Sequence, residues 1–208
     1  GLNVTAVHVD HGLRAHSSDD ADAAQSIAGD LGISCRVVRV DLPDGPNLEA
    51  RARSARRAAT GTEALTGHTA DDQAETVLLA LFRGSGATGL AGIRHGPTKP
   101  IIRLRRTDTH RLCQRLDLSV VHDESNDDPR FRRNRIRHEL LPLVENIFDR
   151  DVAMLIERAA DLLRDDDVLL DELANAIDPT DALMIASAPI PLARRALRRW
   201  LTDGGYPP

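Results

Sequence analysis

Lysine is nearly absent from this 208-residue sequence. Of 27 basic residues only Lys99 is a lysine, which leaves 26 arginines. Genome composition is the plain cause, and selection for forked phosphate contacts is the alternative. Cysteine is scarce too: Cys35 and Cys113 lie far apart with no C-x-x-C partner. That excludes a disulfide scaffold and a cysteine-built zinc cluster, and fits a reducing compartment. The five aromatics are Phe82, Phe131, Phe148, Trp200 and Tyr206, too few for a platform on which successive bases of a single strand stack. The longest unbroken apolar run, Val77 to Phe82, falls far short of the roughly 20 residues that a membrane-spanning helix needs. No basic-then-apolar leader opens the chain, so nothing points to secretion and the expected location is cytoplasmic. A Walker loop, G-x-x-x-x-G-K-S/T, is also missing.

Apolar residues at 41% and charged residues at 28% describe an ordinary globular chain, of one large domain or one medium and one small. The formal net charge of −5 is unevenly spread. Arg94 to Glu139 holds 12 basic and 7 acidic residues, a surplus of +5, whereas Glu145 to Asp181 holds 3 basic and 12 acidic, a deficit of −9. Such asymmetry suggests two surfaces and two domains, divided near Leu143 to Asp149. The expected division is a catalytic α/β domain over 1–145 and a helical domain over 146–208.

The first part alternates strand and helix. Val4 to Val9 is β-branched and stops at the Asp10-His11-Gly12 turn; Cys35 to Val40 reads as a second strand. Between them Ser17 and Ser18 offer caps for a helix with Asp19 and Asp20 in its first turn and Gly32 as its stop. Asn47 offers a cap for the arginine-rich helix Leu48 to Ala59. Leu65 to Gly67 reads as the end of another strand, followed by a helix over Ala70 to Phe82. This alternation implies βαβ units and a doubly wound, mostly parallel sheet. Only Thr60 to Thr66 separate the arginine-rich helix from Gly67, too little for a buried strand and its entry loop. Residues before Gly1 and near Thr60 are therefore expected to be missing.

Further on, Thr107 offers a cap for a helix to Leu116, and Val120-Val121 reads as a buried turn or short strand. Asp123 to Arg133 is a charged loop, and helix resumes from Arg135. Asp151 to Ile177 carries apolar residues at Leu155, Ala159, Leu162, Leu163, Leu169, Leu170 and Leu173, the expected inward stripe. Pro191 can start a last helix with Arg194, Arg195, Arg198 and Arg199 on one side. Those arginines read as a solvated face, with an RNA contact as the alternative.

The densest chemistry lies in Gly67-His68-Thr69-Ala70-Asp71-Asp72-Gln73-Ala74-Glu75-Thr76. On a helix His68, Asp72 and Glu75 share a face, at spacings of four and three. Two carboxylates and an imidazole at the end of a parallel strand stand where open α/β sheets bind ligands. They can hold a cationic amine, a metal or a proton in transfer. Equally, Thr69 to Asp72 reads as a plain capping box with acids complementing the helix dipole. Three further groups stand out: Asp10-His11-Gly12-Leu13-Arg14; Glu49 with Arg51, Arg53, Arg56 and Arg57; and Arg83-Gly84-Ser85-Gly86. Asp123 to His138 adds five arginines packed into Arg130 to Arg137, which suit phosphate or a self-paired loop.

In this order the motifs resemble those of the tRNA(Ile)-lysidine synthases, within the PP-loop ATP pyrophosphatase superfamily. The matching pieces are Val9 to Arg14, the E-x-x-A-R-x-x-R helix from Glu49 to Arg56, Gly67 to Thr76, Arg83 to Gly86, Asp123 to Asn126 and Arg133 to Pro142. Together they cover about two thirds of the chain. The resemblance implies ATP-dependent ligation of L-lysine to C2 of the wobble cytidine in a CAU-anticodon isoleucine tRNA, through an adenylated intermediate, with ATP and Mg2+. It implies catalytic roles for His68, Asp72 and Glu75, with Asp72 and Glu75 on the lysine cation and His68 beside the reacting phosphate or nucleophile. Arg53 or Arg56 would join them at lysine or phosphate, and Asp10, His11 and Gly67 would meet ATP. Arg83, Arg132, Arg133, Asn134, Arg135 and Arg137 would face tRNA, as would the helical region beyond 145; a homodimer and no membrane are expected. The superfamily's pyrophosphate loop, S-G-G-x-D-S, is missing from the sequence and would precede Val4. Two other readings remain: a noncatalytic tRNA-binding module, and a metal-dependent phosphoesterase with Asp10, His11, His68, Asp71 and Asp72 as ligands.

Overall fold

The computed structural model describes residues 4–10, 17–40, 48–118, 120 and 126–205. In chain order the elements are β1 (Thr5–Asp10), α1 (Ser17–Asp30), β2 (Ser34–Arg39), α2 (Leu48–Thr60), α3 (Ala70–Leu81), α4 (Ala87–Leu90), α5 (Arg106–Arg115), α6 (Arg132–Arg135), a π-helical turn (Ile136–Leu140), α7 (Leu141–Phe148), α8 (Val152–Ala174), α9 (Ala182–Ser187) and α10 (Ile190–Asp203). The chain forms two compact units, Gly1–Gly67 with His95–Asp128, and His68–Arg94 with Pro129–Pro208. The sequence-expected boundary at Leu143–Asp149 falls inside the second of these.

In the first unit β1 and β2 pair in parallel, in register from Thr5 opposite Ser34 to Asp10 opposite Arg39. Helix α1 forms the crossover that parallel neighbours require and packs on both strands, burying Ala21 and Ala28 one heptad apart. Helix α2 packs on β1. The Asp10 carbonyl accepts from Val40 N–H at 2.8 Å, which carries the pairing one residue past the ladder. Leu65 to Gly67, expected to be a strand, is irregular instead. Thr66 N–H donates to the Thr98 carbonyl at 2.9 Å, but no ladder of such bonds makes it a strand among the described residues. Val120 is 62% exposed, not buried, and its neighbour Val121 lies outside the described residues. Helix α5 starts at Arg106 rather than after Thr107, because Asp108 accepts from the Arg105 N–H at 3.0 Å and fixes the first turn there.

In the second unit Ala74 of α3, Ile136, Leu141, Val152 and Ala153 form the buried core, flanked by Leu78, Leu79, Leu140, Val144 and Ile156. Ile136 and Leu141 stand five apart and are both buried. An α-helix would point them in different directions; the π-helical turn, with its i to i+5 repeat, points both inward. Helix α8 packs on α3, α4, α7 and α10. It does so through Val152, Ala153, Ala160 and Ala174, whose mostly small side chains allow close approach. The expected leucine stripe faces the other way, with Leu155, Leu162, Leu169 and Leu173 between 46% and 61% exposed. Helix α10 lies on α8 with Ala196 fully buried. Arg195 is no solvated residue: it donates to Asp167 and Asp171, at 2.6 Å each. Among the described residues, no helix is long and apolar enough to cross a membrane.

Candidate functional site

The acidic cluster sits on the first two turns of α3, in the second unit. Thr69 is the N-cap; its N–H and Oγ1 lie 2.8 and 2.9 Å from Asp72 Oδ2. The capping box read from the sequence therefore exists, yet it uses only one oxygen of Asp72. The other, Oδ1, accepts from Arg133 Nη2 at 3.1 Å.

Glu75, one turn further along, is fully buried. Arg133 Nε donates to its Oε2 at 2.6 Å, and Arg137 Nε donates to its Oε1 at 2.7 Å. Arg137 Nη2 adds a bond to Oε2 at 3.2 Å and stands 3.9 Å from Asp72 Oδ1. Two forked guanidiniums thus enclose one carboxylate and reach towards a second, the geometry in which charge-assisted hydrogen bonds are strongest. Burial pulls the Arg137 guanidinium pKa down, but the hydrogen bond and charge of Glu75, with the charges of Asp72 and Asp71, outweigh it and raise the value. Asp72 keeps 18% of its side chain exposed and Glu75 none, so the two acids are not equivalent. Glu75 anchors arginines, whereas Asp72 is the acid that a solute can reach.

Sequence reasoning placed Arg133 and Arg137 on RNA and the acids on an amine; it did not pair them. The signal was slight. Arg133 and Arg137 are four apart and share a helix face, but nothing local links that face to acids some sixty positions earlier.

The other predicted residues are distributed as follows. Asp10 ends β1, buried in the first unit. His11 lies outside the described residues, and Arg53 sits in α2 without a described side chain. Arg56 is exposed on α2, and Gly67 is exposed at the end of the first unit. A Cβ added at Gly67 would meet Ile101 Cδ1 at an ordinary 3.7 Å, so close packing is not what requires glycine there. His68 is half-buried, two residues before α3, and Asn134 is buried on α6. Arg83, Arg132 and Arg135 are exposed and line a separate surface cavity. Gly84-Ser85-Gly86-Ala87-Thr88-Gly89 has G-x-G-x-x-G spacing, but it joins α3 to α4 with no strand before it, so the dinucleotide-binding context is missing.

Residues 1–144 match the PP-loop domain family. A tRNA(Ile)-lysidine synthase from Nocardia farcinica is 44% identical over 97% of this chain and 69% of its own length. The chain belongs to the tRNA(Ile)-lysidine synthase family. Its relatives in that family include synthases from Mycolicibacterium paratuberculosis, 42% identical over 97% of this chain and 68% of the relative, and from Mycobacterium tuberculosis, 40% identical with the same coverage. The fold also matches a U34-tRNA thiolase from Methanococcus maripaludis, with a TM-score of 0.62, 18% identity, and coverage of 78% of this chain and 62% of that one. At that identity the likeness is one of architecture, a parallel sheet with helices. A phosphoesterase centre finds no support: His68, Asp71 and Asp72 do not gather their ligand atoms into a metal cluster among the described residues.

Magnesium, which the ATP-using family implies, can be tested against the same acids. A magnesium ion demands six oxygen ligands at about 2.0–2.1 Å. Asp72 Oδ1 and both oxygens of Glu75 already accept from guanidiniums, which a tight octahedral shell would have to displace and a hydrogen-bonded ammonium would not. These acids do not fit the ion.

Proposed function

We propose that this protein uses ATP to ligate L-lysine to C2 of the wobble cytidine of a CAU-anticodon isoleucine tRNA. The reaction runs in the cytoplasm. In the first step the cytidine C2 oxygen attacks the α-phosphorus of ATP and pyrophosphate leaves. In the second the lysine amine attacks C2, AMP departs with that oxygen, and the amine loses a proton. The product is lysidine, which changes both codon reading and charging from methionine to isoleucine.

One observation carries the site assignment: the interlocked pair of acids and pair of arginines formed by Asp72, Glu75, Arg133 and Arg137. A zwitterionic amino acid suits such a cluster, since each of its charges finds an opposite one. Asp72, the acid with solvent exposure, takes the lysine cation. Glu75 acts one step back, by holding the two guanidiniums where charge develops on phosphate during transfer. His68 stands beside the reacting phosphate or nucleophile. Asp10, His11 and Gly67 with Arg53 or Arg56 serve the nucleotide, and magnesium arrives on the triphosphate. The tRNA meets Arg83, Arg132, Arg135 and the helical region beyond 145.

The test is AMP release by the full-length protein with ATP, magnesium, L-lysine and the isoleucine tRNA transcript. The expected result is AMP formation that requires the tRNA, lysine recovered in the RNA, and loss of that lysine in Asp72→Asn. A full-length protein that binds the tRNA but releases no AMP would instead be a binding module.

A further inference from the structure

We infer that a surface cavity of about 370 Å³ beside the acid–arginine cluster receives one unstacked base of the substrate RNA, with the flanking phosphates on Arg83, Arg132 and Arg135. This rests on the tRNA-substrate reading above. The floor is apolar, made by Leu79 of α3 with Ile136, Leu140 and Leu143. Phe82 forms a wall and is 69% exposed, so its ring face is open to a stacking partner. The volume lies at the small end of the roughly 300–1,000 Å³ range of small-molecule sites, suited to one base with its sugar.

Charge decides the kind of occupant. Three guanidiniums rim an apolar floor against a single carboxylate, Glu139, whose two oxygens already accept from Arg135 at 2.8–3.2 Å. Arg83 and Arg132 leave the rim with a surplus of positive charge, which suits the phosphates on either side of a base. An aromatic wall with nearby arginines is the ordinary means of holding one base of a single strand.

Position ties the cavity to the reaction. Glu75, Leu79 and Phe82 follow one face of α3 at spacings of four and three. Phe82 therefore stands about 10 Å along the helix from Glu75 and about 15 Å from Asp72, a span of about two nucleotides of one strand. The arginine segment repeats this division. Arg133 and Arg137 turn to the acids, while Arg132 and Arg135 turn to the cavity. A base parked on Phe82 would hold a nucleotide about two places along the strand over Asp72, so the pocket acts as a register stop for the anticodon loop.

The experiment uses full-length protein and an anticodon stem-loop of the isoleucine tRNA, with 2-aminopurine replacing one loop base at a time. The expected result is a fluorescence change on binding at one loop position, abolished in Phe82→Ser. Affinity should fall about tenfold, within the roughly 5- to 150-fold that stacking of one base contributes. Leu143→Asn, at a position 55% exposed, should weaken the signal without disturbing the core. The inference is overturned, with the tRNA reading intact, if the stem-loop binds and no position responds, or if the response survives Phe82→Ser. It is equally overturned if free AMP abolishes the signal, or if Phe82→Ser splits a dimer while stem-loop affinity stays unchanged. Failure of the wild-type protein to bind the stem-loop at all would remove the tRNA reading and the pocket together.

Discussion

Arg133 Nε lies 2.6 Å from Oε2 of Glu75, a carboxylate without solvent exposure that precedes it by 58 positions. A buried acid of this kind is tolerated because two cations neutralise it. Glu75→Gln removes the charge and leaves two partly buried guanidiniums facing one another. Breaking a buried ion pair from one side costs about 3–5 kcal/mol. Because Arg133 and Arg137 keep 24% and 18% of their side chains exposed, about 2–3 kcal/mol is the expected loss. Urea unfolding of the variant measures it, and a loss under about 0.5 kcal/mol would class the pair with ordinary surface bridges.

A second prediction contrasts two glycines with the same backbone hand. Gly92 has φ +63°, and a Cβ there would stand 2.5 Å from Gln73 Oε1. Gln73 is fully buried, and that oxygen accepts from the Ile93 N–H at 2.6 Å. Gly84 has φ +74° with nothing within 4 Å. Gly84→Ala should therefore cost about 1 kcal/mol, the left-handed penalty alone, whereas Gly92→Ala should cost about 2–4 kcal/mol by also displacing a buried amide. Equal midpoint shifts in thermal unfolding would contradict the clash.

Asp167 joins three helices. Its Oδ1 accepts from Thr88 Oγ1 at 2.8 Å and from Arg195 Nη2 at 2.6 Å, with 7% of its side chain exposed. Arg195→Leu should destabilise by about 2 kcal/mol, since Thr88 retains one bond to the stranded carboxylate. Adding Asp167→Leu should recover most of that loss, because replacing both partners removes the uncompensated charge. A double variant no more stable than the single one would show that the pair contributes more than neutralisation.

The exposed pair Arg135–Glu139 supplies a pH signature. The hydrogen bond from Arg135, followed by its charge, holds the Glu139 carboxyl below the usual range despite the opposing effect of desolvation. A folded value below the unfolded one means that the stabilisation is present above the ordinary glutamate range. It is lost as pH falls through the depressed folded value. Carboxyl-carbon NMR titration should place Glu139 below the exposed glutamates, and Arg135→Gln should return it to them. A Glu139 midpoint indifferent to Arg135→Gln would refute the pairing in solution.

Much of the scaffold was legible because it depends on neighbours in sequence. The β-branched run ending at Asp10, the acids opening α1 and the Thr69–Asp72 cap all act within a few residues, and β1, α1 and α3 follow from them. Elements that need distant partners were misjudged. Leu65 to Gly67 has strand composition, yet among the described residues it forms no strand. In α8 the leucines looked like the buried face, yet alanines lie inward, since close helix packing rewards small volume as readily as hydrophobicity. At the candidate site the acids could be found from their spacing, while their arginine partners could not, because that match exists only once α3 and α6 are side by side.

The π-helical turn at Ile136–Leu140 seats one extra residue between two buried positions without moving either out of the core. Deleting one of its residues would restore ordinary winding with Ile136 and Leu141 four positions apart, still on one face. Both would stay in the core. An added residue would instead turn Leu141 by about 100° away from it, so this stretch should tolerate losing a residue better than gaining one.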